Sequence, residues 1–284
     1  MLDAAANGNV SLVKSLLAKG ANAHASDSNG ETALMAGTIA GNPAIVKMLL
    51  AAGSDVDAKD IRGDTAIIYA AEIGNVPCLQ LLIKAHANLN LQDKKTCTAL
   101  VLAVGLITTD AVKALIAAGA KVDEVGYPGM TPLGSAVSMD HVDIAAVLIK
   151  AGANVNATFD QNLTPLLIAS HEDYADCVTP LLAAGAKINA QDSDGESSAT
   201  VAAEQSNTDV LTLLIAAGAD LNAADKLGKT PLMYAAANGS GDSVKALIAA
   251  KVNLNDVDLK GESALTLAKT PEIAKLLKDA GETK

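Results

Sequence analysis

The chain has 284 residues, half of them apolar, yet aromatics are only 2% and Trp is absent, so its core must be assembled from Ala, Leu, Ile and Val in thin, closely packed helices. A formal net charge of -11 argues against a phosphate-binding groove, which needs clustered Lys and Arg. No apolar run approaches the roughly 18 residues of a membrane span, and three cysteines, an odd number, make no disulfide framework.

From Asp27 the sequence repeats every 33 residues without a register slip. Thr32-Ala33-Leu34 recurs as Thr65-Ala66-Ile67, Thr98-Ala99-Leu100, Thr131-Pro132-Leu133 and Thr164-Pro165-Leu166, then as Ser197-Ser198-Ala199, Thr230-Pro231-Leu232 and Ser263-Ala264-Leu265. A fixed period of this size marks a solenoid, in which each unit buries its apolar face only against its neighbours. Residues 27 to 59 show the content of one unit. Asp27 to Gly30 is a turn signal, and Thr32 caps a first short helix that gives Leu34 to the core. Ala36-Gly37 permits close helix approach. Gly41-Asn42-Pro43 breaks that helix and starts a second, which carries Ile45, Val46, Leu49 and Leu50 at helical spacing and ends at Gly53.

The pattern D-x-x-G-x-T-P-L-x-x-A-A-x-x-G-x-x-x-x-V-x-x-L-L-x-x-G-A-x-V-N resembles the ankyrin repeat, and seven successive units match it. The resemblance implies an all-α solenoid of paired antiparallel helices with β-turn fingers. It implies one domain: an N-terminal cap over 1–26, seven repeats over 27–257 and a C-terminal cap over 258–284, the last shortened by three residues near Thr270-Pro271. Polar capping units at both ends are what such an array needs for solubility. Several positions depart from the pattern. The histidine expected after Thr-Pro-Leu is missing throughout, with Met35, Ile68, Val101, Gly134, Leu167, Thr200, Met233 and Thr266 in its place, which removes a habitual hydrogen bond. Thr96 and Asn162 stand for the turn glycine, and His86 and Lys251 for the glycine that ends the second helix.

Partners of such arrays, the resemblance implies, lie across the concave side, on turn tips and first-helix ends. Counting by 33 writes that face down. It places there an apolar series in successive repeats, Ile61, Ile73, Leu106, Tyr127, Met130, Met139 and Leu163, with Arg62, His171 and Glu172 beside it. Phe159, the single Phe, takes the turn position held by Asp in Asp27, Asp60, Asp93, Asp192, Asp225 and Asp258, and joins the series. Aromatic and methionine side chains at the centre of a polar surface describe a binding hot spot. Glu196 and Glu204 beyond it would steer a basic partner. Tyr69 and Tyr234 read as helix-packing residues, and Lys14, Lys47, Lys113 and Lys245 as a solvated outer stripe.

Catalytic and metal-ligating spacings are missing: there is no C-x-x-C, H-x-x-x-H, H-E-x-x-H or phosphate-cradling glycine loop. Cys78 and Cys177 fall on the Ile45 and Ile144 positions and read as buried apolar groups, while Cys97 reads as the accessible thiol of a turn. Cys97 and His171 lie two repeats apart, roughly 16 to 20 Å by the layer spacing, so they cannot act as nucleophile and base. The expectation is therefore a non-enzymatic protein without metal or cofactor that binds a folded protein partner, an enzyme included, and inhibits or regulates it. An adaptor bridging two proteins is the alternative and an enzyme a remote one. Neither nucleic acid nor membrane is an expected partner, and the unbound chain is expected to be a monomer. The chain is expected to carry no appended domain, which would favour an inhibitor over a scaffold. The absence of a disulfide framework suits a reducing cytoplasm and equally a periplasm if a leader has been removed, and the Ala-rich, nearly aromatic-free repeats lean toward a bacterial source.

The unit at 192–224 combines Ala199 in the core leucine position with Ser197-Ser198 for Thr-Pro. Truncating a buried Leu costs about 2 to 5 kcal/mol if the space is not refilled. Its backbone amides are expected to exchange faster than those of the flanking repeats in native-state hydrogen exchange; equal protection would refute the assignment of a soft unit.

Overall fold

The computed structural model describes residues 1–281 and Thr283, and these residues form α-helices in pairs joined by tight turns. The pairs are α1 (Leu2–Ala6) with α2 (Val10–Ala18), α3 (Ala33–Ile39) with α4 (Pro43–Ala51), and α5 (Ala66–Glu72) with α6 (Val76–Lys84). Next come α7 (Ala99–Gly105) with α8 (Thr109–Ala117), α9 (Pro132–Ser138) with α10 (Val142–Lys150), and α11 (Pro165–His171) with α12 (Ala175–Ala183). The last three pairs are α13 (Ser198–Gln205) with α14 (Thr208–Ala216), α15 (Pro231–Asn238) with α16 (Gly241–Ala249), and α17 (Ala264–Leu267) with α18 (Pro271–Asp279). Between pairs, among the described residues, the chain makes only isolated bridges: Ser26 with Thr32, Gly126 with Met130 and Gln191 with Ser197.

The chain forms two compact units. The first comprises Met1–Ala136 with Lys150–Ala153, the second Val137–Ile149 with Asn154 onward. In the first, α1, α3, α5 and α7 pack side by side as an inner row, with α2, α4, α6 and α8 as an outer row behind them. In the second, α11, α13, α15 and α17 form the inner row and α12, α14, α16 and α18 the outer one. Each unit is thus an all-α stack of helix hairpins.

Local chemistry explains each piece. Thr32, Thr98, Thr164 and Ser197 cap their first helices by accepting the amide three residues on, at 3.2 to 3.3 Å. Inner helices are buried almost all round: in α3 and α5 only the last residue is exposed. Such burial from every side requires small residues. A Cβ on Gly37 would stand 2.6 Å from Ile45 Cγ2, so this glycine sets the close approach of α3 to α4. Outer helices bury one stripe, such as Ile45, Val46 and Leu49 in α4, and the lysines Lys14, Lys47, Lys113 and Lys245 are exposed on the opposite side.

Two columns of polar bonds tie repeat to repeat. Asp57 and Asn90 in the first unit, and Asn156, Asn189 and Asn222 in the second, each accept the amide of the residue 31 positions on, at 2.7 to 2.9 Å. The fingers are linked by backbone bonds, Ile61 N–H to Asn29 O and Lys94 N–H to Arg62 O at 2.8 Å in the first unit. Within each finger one aspartate holds the loop: Asp27, Asp60, Asp93, Asp192, Asp225 and Asp258 accept the amides of residues two and four positions on, at 2.7 to 2.9 Å.

Three sequence expectations need revision. Cys97 is not an accessible thiol: Asp93 draws its amide in at 2.7 Å, which seats the residue at the buried base of the finger, 5% exposed. The hydrogen bond lost with the missing histidines is replaced in two repeats by a tyrosine one step on. Tyr69 donates to Asp60 Oδ2 at 2.7 Å and Tyr234 to Asp225 Oδ2 at 2.6 Å, so both buried rings brace the finger. In these same repeats Thr65 and Thr230 make no side-chain cap bond, and Thr65 Oγ1 is buried without a partner. Finally, the N-terminal helix pair is not wholly polar on its surface, since Val10 and Leu12 are exposed.

Glycines Gly63 and Gly228 show why the finger turn selects glycine: they have φ of 83° and 80°, and an added Cβ would lie 2.9 to 3.3 Å from the next finger's backbone. Thr96 and Asn162 nevertheless hold that turn at φ 65° and 60°, and His86 and Lys251 take φ 61° and 60° at second-helix ends. A β-branched residue in the left-handed region costs roughly 1 to 2 kcal/mol, so Thr96→Gly is expected to raise the unfolding free energy by about 1 kcal/mol, read as a higher urea midpoint. Ser198 Oγ is buried without a partner beside the buried Ala199, and Ser198→Ala should also stabilise, by on the order of 1 kcal/mol. Urea unfolding followed by circular dichroism checks both; a lowered midpoint would contradict the assigned strain or desolvation.

Candidate functional site

In the first unit the finger over 60–64 is built from its carboxylate outward. Asp60 binds the amides of Arg62 and Asp64, which leaves Ile61 at the tip with its side chain in solvent. Arg62 lies over the Tyr69 ring, 5.3 Å from its centroid, donates to the Tyr69 hydroxyl, and pairs with Asp64 Oδ2 at 3.0 Å. Burial pushes the Asp60 carboxyl up, but hydrogen bonds from Tyr69, Asp64 and Arg62 and the Arg62 charge outweigh it, so the group stays ionised below its ordinary range. Burial and the bond to Asp60 push the Tyr69 hydroxyl up to about 12. Arg62 is therefore an internal brace that still shows 59% of its side chain to solvent.

The other residues expected on this face of the first unit divide by depth. Ile73 and Leu106 follow α5 and α7 as their C-terminal caps and are exposed. Tyr127 is 68% exposed. Met130 is only half-buried, because it occupies the column at the base of the finger that also holds the buried Asp64 and Cys97. Burial raises the Cys97 thiol above its ordinary range, so it is held in the unreactive protonated form; Cys78 and Cys177 are pushed up to about 11 and 12 by the same cause.

In the second unit Met139 is exposed and Leu163 half-buried. Phe159 is half-buried, not a free anchor. Its amide still donates to Leu163 O at 2.9 Å, but with no carboxylate to hold the loop the chain takes a 3-10 turn over Asp160–Asn162, with Gln161 and Asn162 both at positive φ. His171 Nδ1 and Glu172 Oε1 lie 2.9 Å apart on the surface at the end of α11. Glu196 and Glu204, both half-buried, come together with Asp192, Asp225 and Tyr234. Burial first, then the charges of Glu204, Asp192 and Asp225, push the Glu196 carboxyl up to about 7, against a hydrogen bond with Tyr234. Lys229 is the neighbouring cation, 5.1 Å from the Tyr234 ring centroid.

Sequence reasoning passed over Ile107. It lies 33 positions after Gly74, in a column otherwise held by Gly41, Asp140, Asp173, Ser206 and Gly239, and it is 63% exposed at φ 59°. The signal was an isoleucine in a glycine column. Among the described residues no group of three or more His, Cys, Asp or Glu side chains is placed to hold a metal ion, and no helix is long and apolar enough to cross a membrane.

Comparison with known proteins supplies the relatives. The family described as ankyrin repeats (3 copies) matches residues 1–93, 38–125, 67–159, 108–192 and 199–284. Among solved structures, the chain is similar to the human ASB11 ankyrin repeat domain, with a TM-score of 0.66 and 25% identity over 78% of this chain and 100% of that one. It is also similar to the ankyrin repeat domain of Bcl-3, a unique member of the IkappaB protein family, with a TM-score of 0.64 and 27% identity over 70% of this chain and 92% of that one. A search of curated protein sequences gives no match.

The raised Glu196 carboxyl links stability to pH. Between its ordinary value near 4.5 and about 7 the unfolded chain has released this proton while the folded chain keeps it, so stability falls as pH rises through that window. Burial raises Asp64 and Asp173 as well, which adds the same slope nearer pH 4, whereas Asp60 and Asp258 are lowered and act at more acid pH. Thermal melts of Glu196→Gln from pH 4.5 to 8 are expected to show a flatter profile and a higher Tm than wild type at pH 8. An unchanged profile would show that Glu196 ionises normally.

Proposed function

The chain belongs to the ankyrin-repeat family, whose repeats are protein–protein interaction modules, and on that premise we propose that it is a non-enzymatic inhibitor or regulator that grips a folded protein partner with its finger tips and first-helix ends. The observation that carries this reading is the exposure of Ile61, Ile73, Leu106 and Tyr127 in the first unit. Ile61 and Tyr127 stand at finger tips and Ile73 and Leu106 at first-helix ends, and exposed large apolar side chains at successive positions of this kind mark an interaction site. A face braced by turn aspartates and by the Arg62–Tyr69–Asp60 bonds is rigid before binding, so it loses little entropy on association. Masking an active site or an assembly surface suits such a face. A second reading, an adaptor joining two proteins, is favoured by one contrast: the second unit gathers Glu196, Glu204, Asp192 and Asp225, a chemistry unlike that of the first.

Ile61→Ser with Tyr127→Asp removes the two most exposed of the four apolar groups and touches no buried contact. Used as bait against native lysate, the double variant is expected to lose the partners that the wild-type chain recovers, with an unchanged circular dichroism spectrum. Unchanged recovery would overturn the proposal. Adding the purified chain to a recovered partner's activity assay then separates inhibitor from adaptor.

A further inference from the structure

The outer helices repeat one burial pattern, and the first and last of them show which neighbour covers which position. The third and seventh residues of α4, Ile45 and Leu49, are buried, and so are their equivalents in every later outer helix, through Ile273 and Leu277 of α18. In α2 the same positions hold Leu12, 45% exposed, and Leu16, half-buried, while the fourth residue, Val13, stays buried. Among the described residues no helix pair packs before α2, so the third and seventh positions are those that a preceding pair covers. In α18 the converse holds: Ile273 and Leu277 remain buried, whereas Ala274 at the fourth position is half-buried and Lys278 at the eighth is exposed. These positions face the pair that follows.

The two outermost helices differ in chemistry. At the eighth position every earlier outer helix holds Leu or Ile, from Leu17 to Ile248, and α18 holds Lys278. A charge where a neighbour would pack closes that side, as a capping unit must. α2 makes no such exchange and keeps leucine at both uncovered positions, on a stripe flanked by Ser15 and Lys19. Elsewhere this stripe is covered by the aliphatic fourth and eighth residues of the neighbouring outer helix, as where α4 packs on α2 and α6 on α4. α18 cannot supply that cover to a second copy, because Lys278 stands in its place. The aliphatic stripe that a second copy does offer is the one on its own α2.

Charge and spacing permit the contact. Residues 1–26 hold Lys14 and Lys19 against Asp3 in a chain of net charge -11, so two copies meeting here avoid the acid-on-acid repulsion of the remainder. Leu12 and Leu16 stand about one helical turn apart. Two antiparallel α2 helices related by a two-fold axis therefore set Leu12 of each copy against Leu16 of the other. The two Lys19 then lie about 15 Å apart along the helix axis, beyond the screening length at physiological salt. Lys14, two residues from each leucine, lies on the far side of the helix.

We propose that the chain forms a two-fold dimer through α2, with Leu12 and Leu16 packed on the same residues of a second copy. The sequence reads as a monomer with a polar cap over 1–26, and the uncovered leucines turn that cap into a contact. On the reading of the chain as a protein binder, the dimer carries two partner faces, so a target with two matching sites is held by avidity.

Sedimentation equilibrium of the full chain from about 10 μM to about 1 mM, a span suited to weak association, is expected to show the mass rising from one chain toward two and no further. Leu12→Glu is expected to weaken the dimer about tenfold or more, the effect of losing a hot-spot anchor, with an unchanged circular dichroism spectrum. Lys14→Glu, on the far side of α2, should leave it within roughly twofold. Ser15→Cys is expected to cross-link two copies when copper phenanthroline and air remove two electrons and two protons from the thiol pair, since Cys78, Cys97 and Cys177 are buried. A chain that stays single at the highest concentration, a Leu12→Glu chain that associates as well as wild type, or a Ser15→Cys chain that does not cross-link would each overturn the proposal. Mass growing past two chains would overturn it in favour of head-to-tail stacking. Ile61→Ser with Tyr127→Asp is expected to leave the dimer intact, so this inference and the partner-binding reading fail separately.

Discussion

A helix of seven residues followed by one of nine cannot stand alone in water, because nucleation is costly and such short helices gain too few hydrogen bonds to offset it. Every pair here must therefore be held by its neighbours, and the inner helices carry most of that demand. α3 and α5 bury all but their last residue, which leaves no room for bulky side chains and accounts for a chain rich in Ala and Leu and nearly without aromatics. The demand also sets the tolerance of each position. Gly37 has no spare volume against Ile45, whereas the outer faces carry lysines freely.

Polar bonds then fix the register that apolar contact alone leaves soft. The Asp57 and Asn90 column and the finger-to-finger backbone bonds fall at constant steps of 31 and 32 residues, so a pair that slipped against its neighbour would break bonds of every kind at once. The turn aspartate holds each finger closed, and in two repeats a tyrosine hydroxyl adds a second hold on the same carboxylate. Where the aspartate is replaced by Phe159, the finger keeps its backbone bond and changes its turn. The fold thus tolerates the loss of a side-chain hold provided the backbone contact survives.

Within this regular frame, the irregular residues carry the functional argument. The repeat calls for polar or small groups at finger tips and loop tips, and the first unit supplies Ile61, Ile73, Leu106, Ile107 and Tyr127 instead. The second unit departs differently, by drawing Glu196 and Glu204 into a half-buried acidic group. The second unit also exposes Leu227 and Leu259 at its finger tips, so apolar contact is offered by both units and the half-buried acidic group by the second.

Much of this was legible in the sequence. The 33-residue period gives the helix pairs, their caps, the turn glycines and the place of each residue in its repeat, because a repeating fold imposes the same steric needs at the same positions; Thr96 could be assigned to a strained turn on register alone. Depth and partnership were not legible. Cys97 reads as a turn residue, and only the Asp93 bond to its amide shows that the finger folds it inward. Tyr69 and Tyr234 read as packing residues, and only the folded chain brings their hydroxyls onto carboxylates nine residues earlier. The cost of Ile107 becomes visible with its φ, and the charge state of Glu196 with the carboxylates gathered around it. Sequence fixes which position a residue holds; how deep it lies and whom it meets depend on side chains from other repeats, which no single period contains.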